Sequence, residues 1–509
     1  MVSNNKTIAK NTLLLYFRML VTMTISLYTS RVILQILGVD DYGIYQSVGG
    51  IVGFLSFVNN ALATGSSRFI TFGIGEGNLL KLEKIFSTVL TAHIVLASVI
   101  VLFAETVGLW FLYNKMVIPS DRIDAAVYTY HLSIFTAFFT LTQVPYNASI
   151  IAHERMNVFA FVSVVDAIAR LLIVYALSIG NFDRLVLYST LLCLLQIGII
   201  IFYRFYCRSN FPEARFRFLF EKKIFKEIAS FSGWSLFGSS AFALNNQGAL
   251  VLLNLFFSPA VVAARAITIQ VSVHANQLVS NFQTAAVPQI VKRYAAKDYE
   301  GSKHLLLNMA RYSYYIMLAM SLPIFLVAEE LLTLWLGVVP EYTIIFLQIM
   351  ILQCLFQVFD TTFYYALYAK GRLRENALLS PTLLFIIYPV IYYLFKLGYS
   401  PIALSWASLL AYAFLGLVVK PILIIRICNY YWRDIVSVFV PCIKVTAVSL
   451  PIPLFSYYLL HSHNNMFYSF LSITMVSVVS VICASWYVGI DMKMREMIIK
   501  AVRSKIHWN

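Results

Sequence analysis

Leu37-Gly38-Val39-Asp40-Asp41-Tyr42-Gly43 stands between two long apolar runs, Asn11 to Ile36 and Ile44 to Phe72. Each run exceeds the roughly 20 residues a helix needs to cross a 30 Å hydrocarbon layer, so the stretch predicts a membrane hairpin closed by a short polar turn. The hairpin is not uniformly apolar. Arg18 and Arg31 fall inside the first run, Arg68 falls inside the second, and Asn59 and Asn60 interrupt the second. An arginine at membrane depth costs about 2.5 to 3.5 kcal/mol on insertion scales, and it normally faces protein or a water-filled cavity. Such a cavity would favour an anion.

The rest of the chain has the same character. Of its 509 residues 60% are hydrophobic and 12% charged, and the mean hydropathy is +0.78; an ordinary soluble domain is about 25% charged. The pattern is that of a polytopic membrane protein. A net charge of +15 would suit nucleic acid only if the Lys and Arg residues shared one soluble face. Here they sit in short loops between apolar spans, and no nucleic-acid partner is expected. The six cysteines (Cys193, Cys207, Cys354, Cys428, Cys442 and Cys483) have neither CxxC nor metal-ligand spacing and read as packing residues, with no metal or cofactor implied. The first apolar run is too long for a secretory leader and lacks a small-residue cleavage site, so the first helix is expected to remain as an anchor.

Apolar windows longer than about 18 residues give fourteen spans, beginning near Asn11, Ile44, Ile85, Ala125, Arg155, Leu185, Ala229, Ala260, Leu306, Tyr342, Asn376, Pro401, Ile435 and Met466. One set of connecting loops and ends carries 26 Lys and Arg, and the opposite set carries 4 (Lys115, Arg122, Arg184 and Lys396), the remaining 8 of 38 lying inside spans. The positive-inside rule then places both termini in the cytoplasm. All outer loops are short, the longest running from about Tyr113 to Asp124. That argues against an enzyme acting at the outer face.

The basic inner loop from Arg204 to Glu227 divides the chain, and the two halves resemble each other. An offset of 221 carries Gly38 onto Pro259, Val52 onto Val273 and Asn60 onto Asn281; an offset of 217 carries Tyr175 onto Tyr392. Six helices repeated once make parallel repeats about an axis along the membrane normal. The expected organisation is therefore an N-lobe over residues 1–211, a C-lobe over 212–434, two further spans over 435–490, and a basic amphipathic tail over 491–509 lying on the inner leaflet.

The cations inside spans are Arg18, Arg31, Arg68, Arg170, Arg265, Arg311, Lys420 and Lys444. Arg311, Lys420 and Lys444 lie near inner ends, where long side chains reach the headgroups. Arg31, Arg170 and Arg265, with Arg18 and Arg68, are the candidates for holding an anion. Guanidinium groups bind phosphate oxygens bidentately and keep their charge at any relevant pH. Asp166 lies one helical turn before Arg170. The two are either a permanently neutralised ion pair or a pair that opens when an anionic substrate or a proton arrives. Asp166 and Asp360 are thus candidate ion-coupling sites. Two polar stripes on the eighth span, one with Thr268, Ser272, Asn276 and Gln283, the other with Gln270, His274, Gln277 and Asn281, exceed what helix-to-helix adhesion needs. Asn60, Asn245, Asn276 and Asn281 are accordingly expected to line a cavity. No GxxxxGK[ST], HExxH or placeable Ser-His-Asp set is present, so neither a nucleotide-driven motor nor a hydrolase is indicated.

The opening Lys10-Asn11-Thr12, the turn Leu37-Gly38-Val39-Asp40-Asp41-Tyr42-Gly43-Ile44-Tyr45, the segment Ala152-His153-Glu154-Arg155-Met156-Asn157 and the fourteen-span count together resemble the Wzx-type polysaccharide (O-antigen) flippases of the multidrug/oligosaccharidyl-lipid/polysaccharide (MOP) exporter superfamily. The resemblance implies an all-α protein of the MATE/MurJ kind, with two six-helix lobes around a cationic cavity and alternating access. It also implies transport of undecaprenyl-pyrophosphate-linked oligosaccharide repeat units, for O-antigen, capsule or exopolysaccharide, from the inner to the outer leaflet of a bacterial inner membrane. Membrane lipids, H+ or Na+ as counter-ion, and a polysaccharide polymerase with its chain-length regulator are the partners it implies. Outward movement of a pyrophosphate against an inside-negative potential gains about 2.3 kcal/mol per charge per 100 mV. Three rivals stay open on the sequence: a lipid II flippase, a multidrug cation antiporter of the same fold, and a membrane polymerase or ligase acting on lipid-linked sugars. The antiporter needs buried carboxylates to outnumber buried arginines, and this chain has the opposite balance.

Overall fold

The architecture comes from a computed structural model. It describes residues 2–55, 78–153, 155–179, 182–215, 243–372, 374–460 and 465–492, with a few isolated positions between them. Arg68, Asn60 and most of the tail beyond 491 lie outside the described residues, as does the expected span start at Ala229. Every other expected start falls within or at the edge of a helix, and no strand occurs among the described residues.

The helices are α1 (Val2–Leu37), α2 (Val39–Leu55), α3 (Leu79–Lys115), α4 (Ile123–Ala152), α5 (Met156–Ala176), α6 (Arg184–Asn210), α7 (Ala249–Asn254), α8 (Pro259–Ala295), α9 (Tyr299–Leu326), α10 (Ala328–Leu336), α11 (Thr343–Lys370), α12 (Arg374–Lys396), α13 (Ile402–Cys428), α14 (Trp432–Leu460) and α15 (Met466–Gly489). Nine of them are long and apolar enough to cross a membrane; α9 and α10, bent by 80° at their junction, make a tenth such element. The described parts of α2 and α7 are short. The long helices α4 and α8 carry many polar residues, which on α8 are the two stripes read from the sequence.

Helix starts follow local chemistry. The side chains of Asn78, Asp183, Asp298 and Asn465 accept hydrogen bonds from the first free N–H groups of α3, α6, α9 and α15. Gly38, with φ of 85°, ends α1 in the left-handed region that other residues adopt at a cost. Its neighbour Gly43 has a different role. A Cβ there would lie 2.0 Å from the Pro259 carbonyl oxygen at the start of α8.

The chain divides into two compact units, residues 1–267 with 336–341 and 384–401, and residues 268–335 with 342–383 and 402–509. In the first, α1 packs on α5, α4 on α6 and α3 on α4, around buried Phe86, Tyr146, Ile150 and Tyr203. In the loops of this unit Arg122 holds Asp41 and Asp183 together, at 2.7 and 2.5 Å. Its hydrogen bond to Asp183 is the main reason its guanidinium is held above its ordinary range. Burial pushes the Asp41 carboxyl up despite that contact. Asp183 goes the other way: partial burial opposes its charge, but the Arg122 bond and the N–H groups of Val186 and Leu185 outweigh it and hold the carboxyl below its usual range. In the second unit α9 packs on α11, α14 and α15, and α11 on α13, around Met317, Phe359, Phe363 and Val438. Cys193, Cys207, Cys354 and Cys442 are buried packing residues, whereas Cys483 is exposed on α15.

Candidate functional site

Cavities lie among the described residues of the first unit, and two of them bear on the site. One, about 440 Å³, is bounded by Ile51, Phe103, Val107, Leu252 and Tyr388 among others, and among the described residues no charged side chain lines it. The smaller, about 230 Å³, lies among α2, α4, α5 and α6 and has Arg170 in its wall.

Arg170 is fixed from one side only. Its Nε donates to Oδ1 and Oδ2 of Asp166 at 3.0 and 3.1 Å, one turn earlier on α5. Among the described residues its Nη1 and Nη2 meet no hydrogen-bonding partner. Around them α4 supplies Ser133, Thr136 and Thr140, α6 supplies Ser189, and α2 supplies Tyr45. The Tyr45 ring meets that of Tyr188 edge to face at 5.0 Å. Ser189 is held by Thr129, hydroxyl to hydroxyl at 3.2 Å. The result is a small chamber walled by one guanidinium and several hydroxyl-bearing side chains, with the carboxylate paired to that arginine not among the lining residues. The guanidinium can donate to the oxygens of an anion, while Ser133, Thr140 and Ser189 donate to carbonyls of their own helices.

The other expected arginines are placed differently. Arg18 sits in the α1–α5 packing, with Nη1 donating to Ser163 Oγ at 3.4 Å and its guanidinium 4.8 Å from the Phe159 ring centre. Arg31 is half-buried on α1, and Arg265, at 0% exposure, is enclosed near the start of α8 close to Tyr388. None of the three lines the Arg170 chamber.

Asn245 is buried in a π-helical turn, Leu244–Gly248, that leads into α7. In the second unit Asn276 donates to Ser272 O at 3.0 Å and lies within 3.5 Å of Gln357 Oε1 on α11, which joins two helices. Asn281 accepts from Gln277 on its own helix at 3.4 Å. Asp360 faces Lys420 Nζ at 3.0 Å. Lys420 therefore does not reach for the headgroups, as its position near an inner end suggested, but is 2% exposed inside the unit.

Reading the sequence for charge overlooked Tyr45, Ser189 and the Ser133, Thr136, Thr140 row. The row had a signal, since spacings of three and four put its members on one helix face.

No family model matches the sequence, and no curated protein matches it. Solved structures do match in shape. The lipid II flippase MurJ in an inward closed conformation superposes with a TM-score of 0.67 over 94% of this chain and 98% of its own, at 11% identity. An inward-facing multidrug resistance MATE family transporter of the MOP superfamily gives 0.67 over 81% and 98%, at 14% identity. A MOP superfamily transporter from Pyrococcus furiosus, described as having a binding pocket of reverse polarity, gives 0.59 over 82% and 96%, at 14% identity. Identities this low speak to the fold, and on that ground the chain has the all-helical architecture shared by MurJ and the MATE transporters of the MOP superfamily.

Proposed function

We propose that this protein is a flippase that carries polyprenyl-pyrophosphate-linked oligosaccharide repeat units, of the O-antigen, capsule or exopolysaccharide type, from the inner to the outer leaflet of a bacterial inner membrane by alternating access. The observation that carries the reading is the Arg170 chamber. A guanidinium at membrane depth lines a space walled by hydroxyl-bearing side chains, and among the described residues no carboxylate shares that lining. At about 230 Å³ the space is smaller than the usual 300 to 1,000 Å³ of a whole-ligand pocket. It therefore suits a phosphate-bearing fragment of the substrate, with saccharide and tail elsewhere.

An arriving phosphate competes with Asp166 for Arg170. Asp166, as the carboxylate such a phosphate would displace, is then the candidate residue for coupling transport to an ion. MurJ, whose fold the chain shares, is by name a flippase of lipid II, and the chemistry at Arg170 would serve that cargo as well. A cation antiporter fits poorly because, among the described residues, no carboxylate lines the chamber.

The test uses full-length protein in sealed vesicles containing a short-chain polyprenyl-pyrophosphate saccharide, with flipping read as outer-leaflet accessibility to a soluble modifying enzyme. Arg170→Gln should reduce the rate at least tenfold at unchanged protein level. Arg170→Lys, which keeps charge but loses the planar fork, should fall between. Wild-type rates in Arg170→Gln would remove Arg170 from the site, and no flipping by the wild type would remove the function.

A further inference from the structure

The second unit holds a buried charge pair that has no part in the proposed phosphate chamber. Asp360 projects from α11, and Lys420 comes from α13 immediately after the π-helical turn Leu415–Val419. The two meet with Nζ 3.0 Å from Oδ1. Lys420 Nζ also donates to Oδ1 of Asn376 on α12 and lies 5.7 Å from the Tyr364 ring centre. Asn376 Oδ1 accepts from Ser380 Oγ as well, at 3.4 Å. Eight residues separate Lys420 from Cys428 at the inner end of α13, roughly 12 Å of helix, which is far enough to lie within the hydrocarbon layer. A π turn adds a residue to one helical turn and rotates the rest of the helix beyond it, and such turns occur often at functional sites.

Two of these partners, one carboxylate oxygen and one amide oxygen, are those of a small hard cation, and the aromatic face is one that suits an ammonium. Here a tethered ammonium takes them. Among the described residues the first unit has no such pair at the corresponding positions, because the offset of 217 relating the halves carries Asp360 onto Gln143 and Lys420 onto Tyr203. There Gln143 accepts instead from Gln196, at 2.7 Å. The charge pair is therefore particular to the second unit and not a requirement of the helix packing.

We propose that the Lys420 ammonium is a built-in surrogate for a monovalent metal cation of the Na+ class at Asp360 and Asn376, so that this seat admits no free cation while the lysine is present. The role is independent of which substrate is carried.

The test is the thermal unfolding of full-length protein in nanodiscs, with NaCl, LiCl or KCl exchanged for choline chloride at constant ionic strength. Wild type should unfold at the same temperature in all four salts. Lys420→Ala should unfold earlier in choline and recover by several degrees, saturably, in at least one alkali salt. Lys420→Ala combined with Asp360→Asn should lose that recovery. A folded Lys420→Ala protein indifferent to all four salts would overturn the proposal. So would wild-type stabilisation by an alkali cation that Asp360→Asn abolishes, and this second outcome is decisive even where Lys420→Ala does not fold: indifference of the wild type then supports the proposal.

Discussion

Replacing Gly43 with Ala tests the link between the first hairpin and the start of α8. The added carbon would stand 2.0 Å from Pro259 O, 2.5 Å from Pro259 C and 2.9 Å from Pro259 Cβ. Ordinary non-bonded contact begins at about 3.5 Å, so α2 and the Pro259 turn must separate by roughly 1.5 Å. Two of those atoms belong to the backbone, so no side-chain rotation relieves the overlap. Overpacking of a well-filled interior costs about 1 to 3 kcal/mol and occasionally more. With backbone on both sides, the upper end, about 3 kcal/mol, is the expected figure. Gly43 itself lies in α2, away from the left-handed region, so backbone strain contributes nothing and the effect is steric alone. The assay is thermal unfolding of the detergent-solubilised full-length protein followed by size-exclusion fluorescence, comparing wild type, Gly43→Ala and Gly49→Ala. At Gly49 a Cβ meets nothing within 4 Å, which makes it the matched control. Gly43→Ala should melt well below both. Equal melting of Gly43→Ala and Gly49→Ala would show that the close approach is not a constraint in the folded protein.

Two further outcomes are expected from polar groups outside the spans. His153 Nε2 lies 2.5 Å from Glu213 Oε1, with the imidazole stacked on Phe211 at 4.1 Å and the Glu213 side chain 1% exposed. Leaving a buried polar group without its partner costs about 1 to 3 kcal/mol, so His153→Ala should cost about 3 kcal/mol in unfolding measurements, with much of it restored by adding Glu213→Gln. Failure of the second change to restore stability would show that stacking on Phe211, and not the contact with Glu213, is what His153 provides. Beside Arg122, Asp183 has a lowered carboxyl pKa in the fold, so its contribution is fully present above the unfolded-state value and lost as pH falls through the folded one. Asp41, raised by burial, works in the opposite sense. Melting curves between pH 7 and pH 3 should therefore show an acid-side loss of stability that is smaller in Asp183→Asn, and an identical slope in both proteins would refute that account.

How far the site could be read in advance differs from residue to residue. The Asp166/Arg170 pair needed only the one-turn spacing, and the structure finds the two in contact as that spacing requires. Asn276 was read as a cavity residue because it is polar and at depth; it holds α8 to α11. Arg18 and Arg170 looked comparable as intramembrane cations. One is pinned between helices by Ser163 and Phe159, while the other lines a chamber. Lys420 was misjudged for a related reason. Distance from a span end says that a long side chain can reach the headgroups, and it does not say that a carboxylate on another helix stands nearer.

Hydropathy and charge placement along the chain fixed by themselves that it is a helical membrane protein and which helices carry polar stripes. These properties depend on each segment's own transfer from water to hydrocarbon, a sum over local residues. Which cation faces a cavity, which faces a carboxylate and which is packed away was decided only by tertiary structure. Depth in a bilayer is a one-dimensional quantity carried by the sequence, whereas the direction of a side chain around its helix acquires a meaning only when the neighbouring helices are in place.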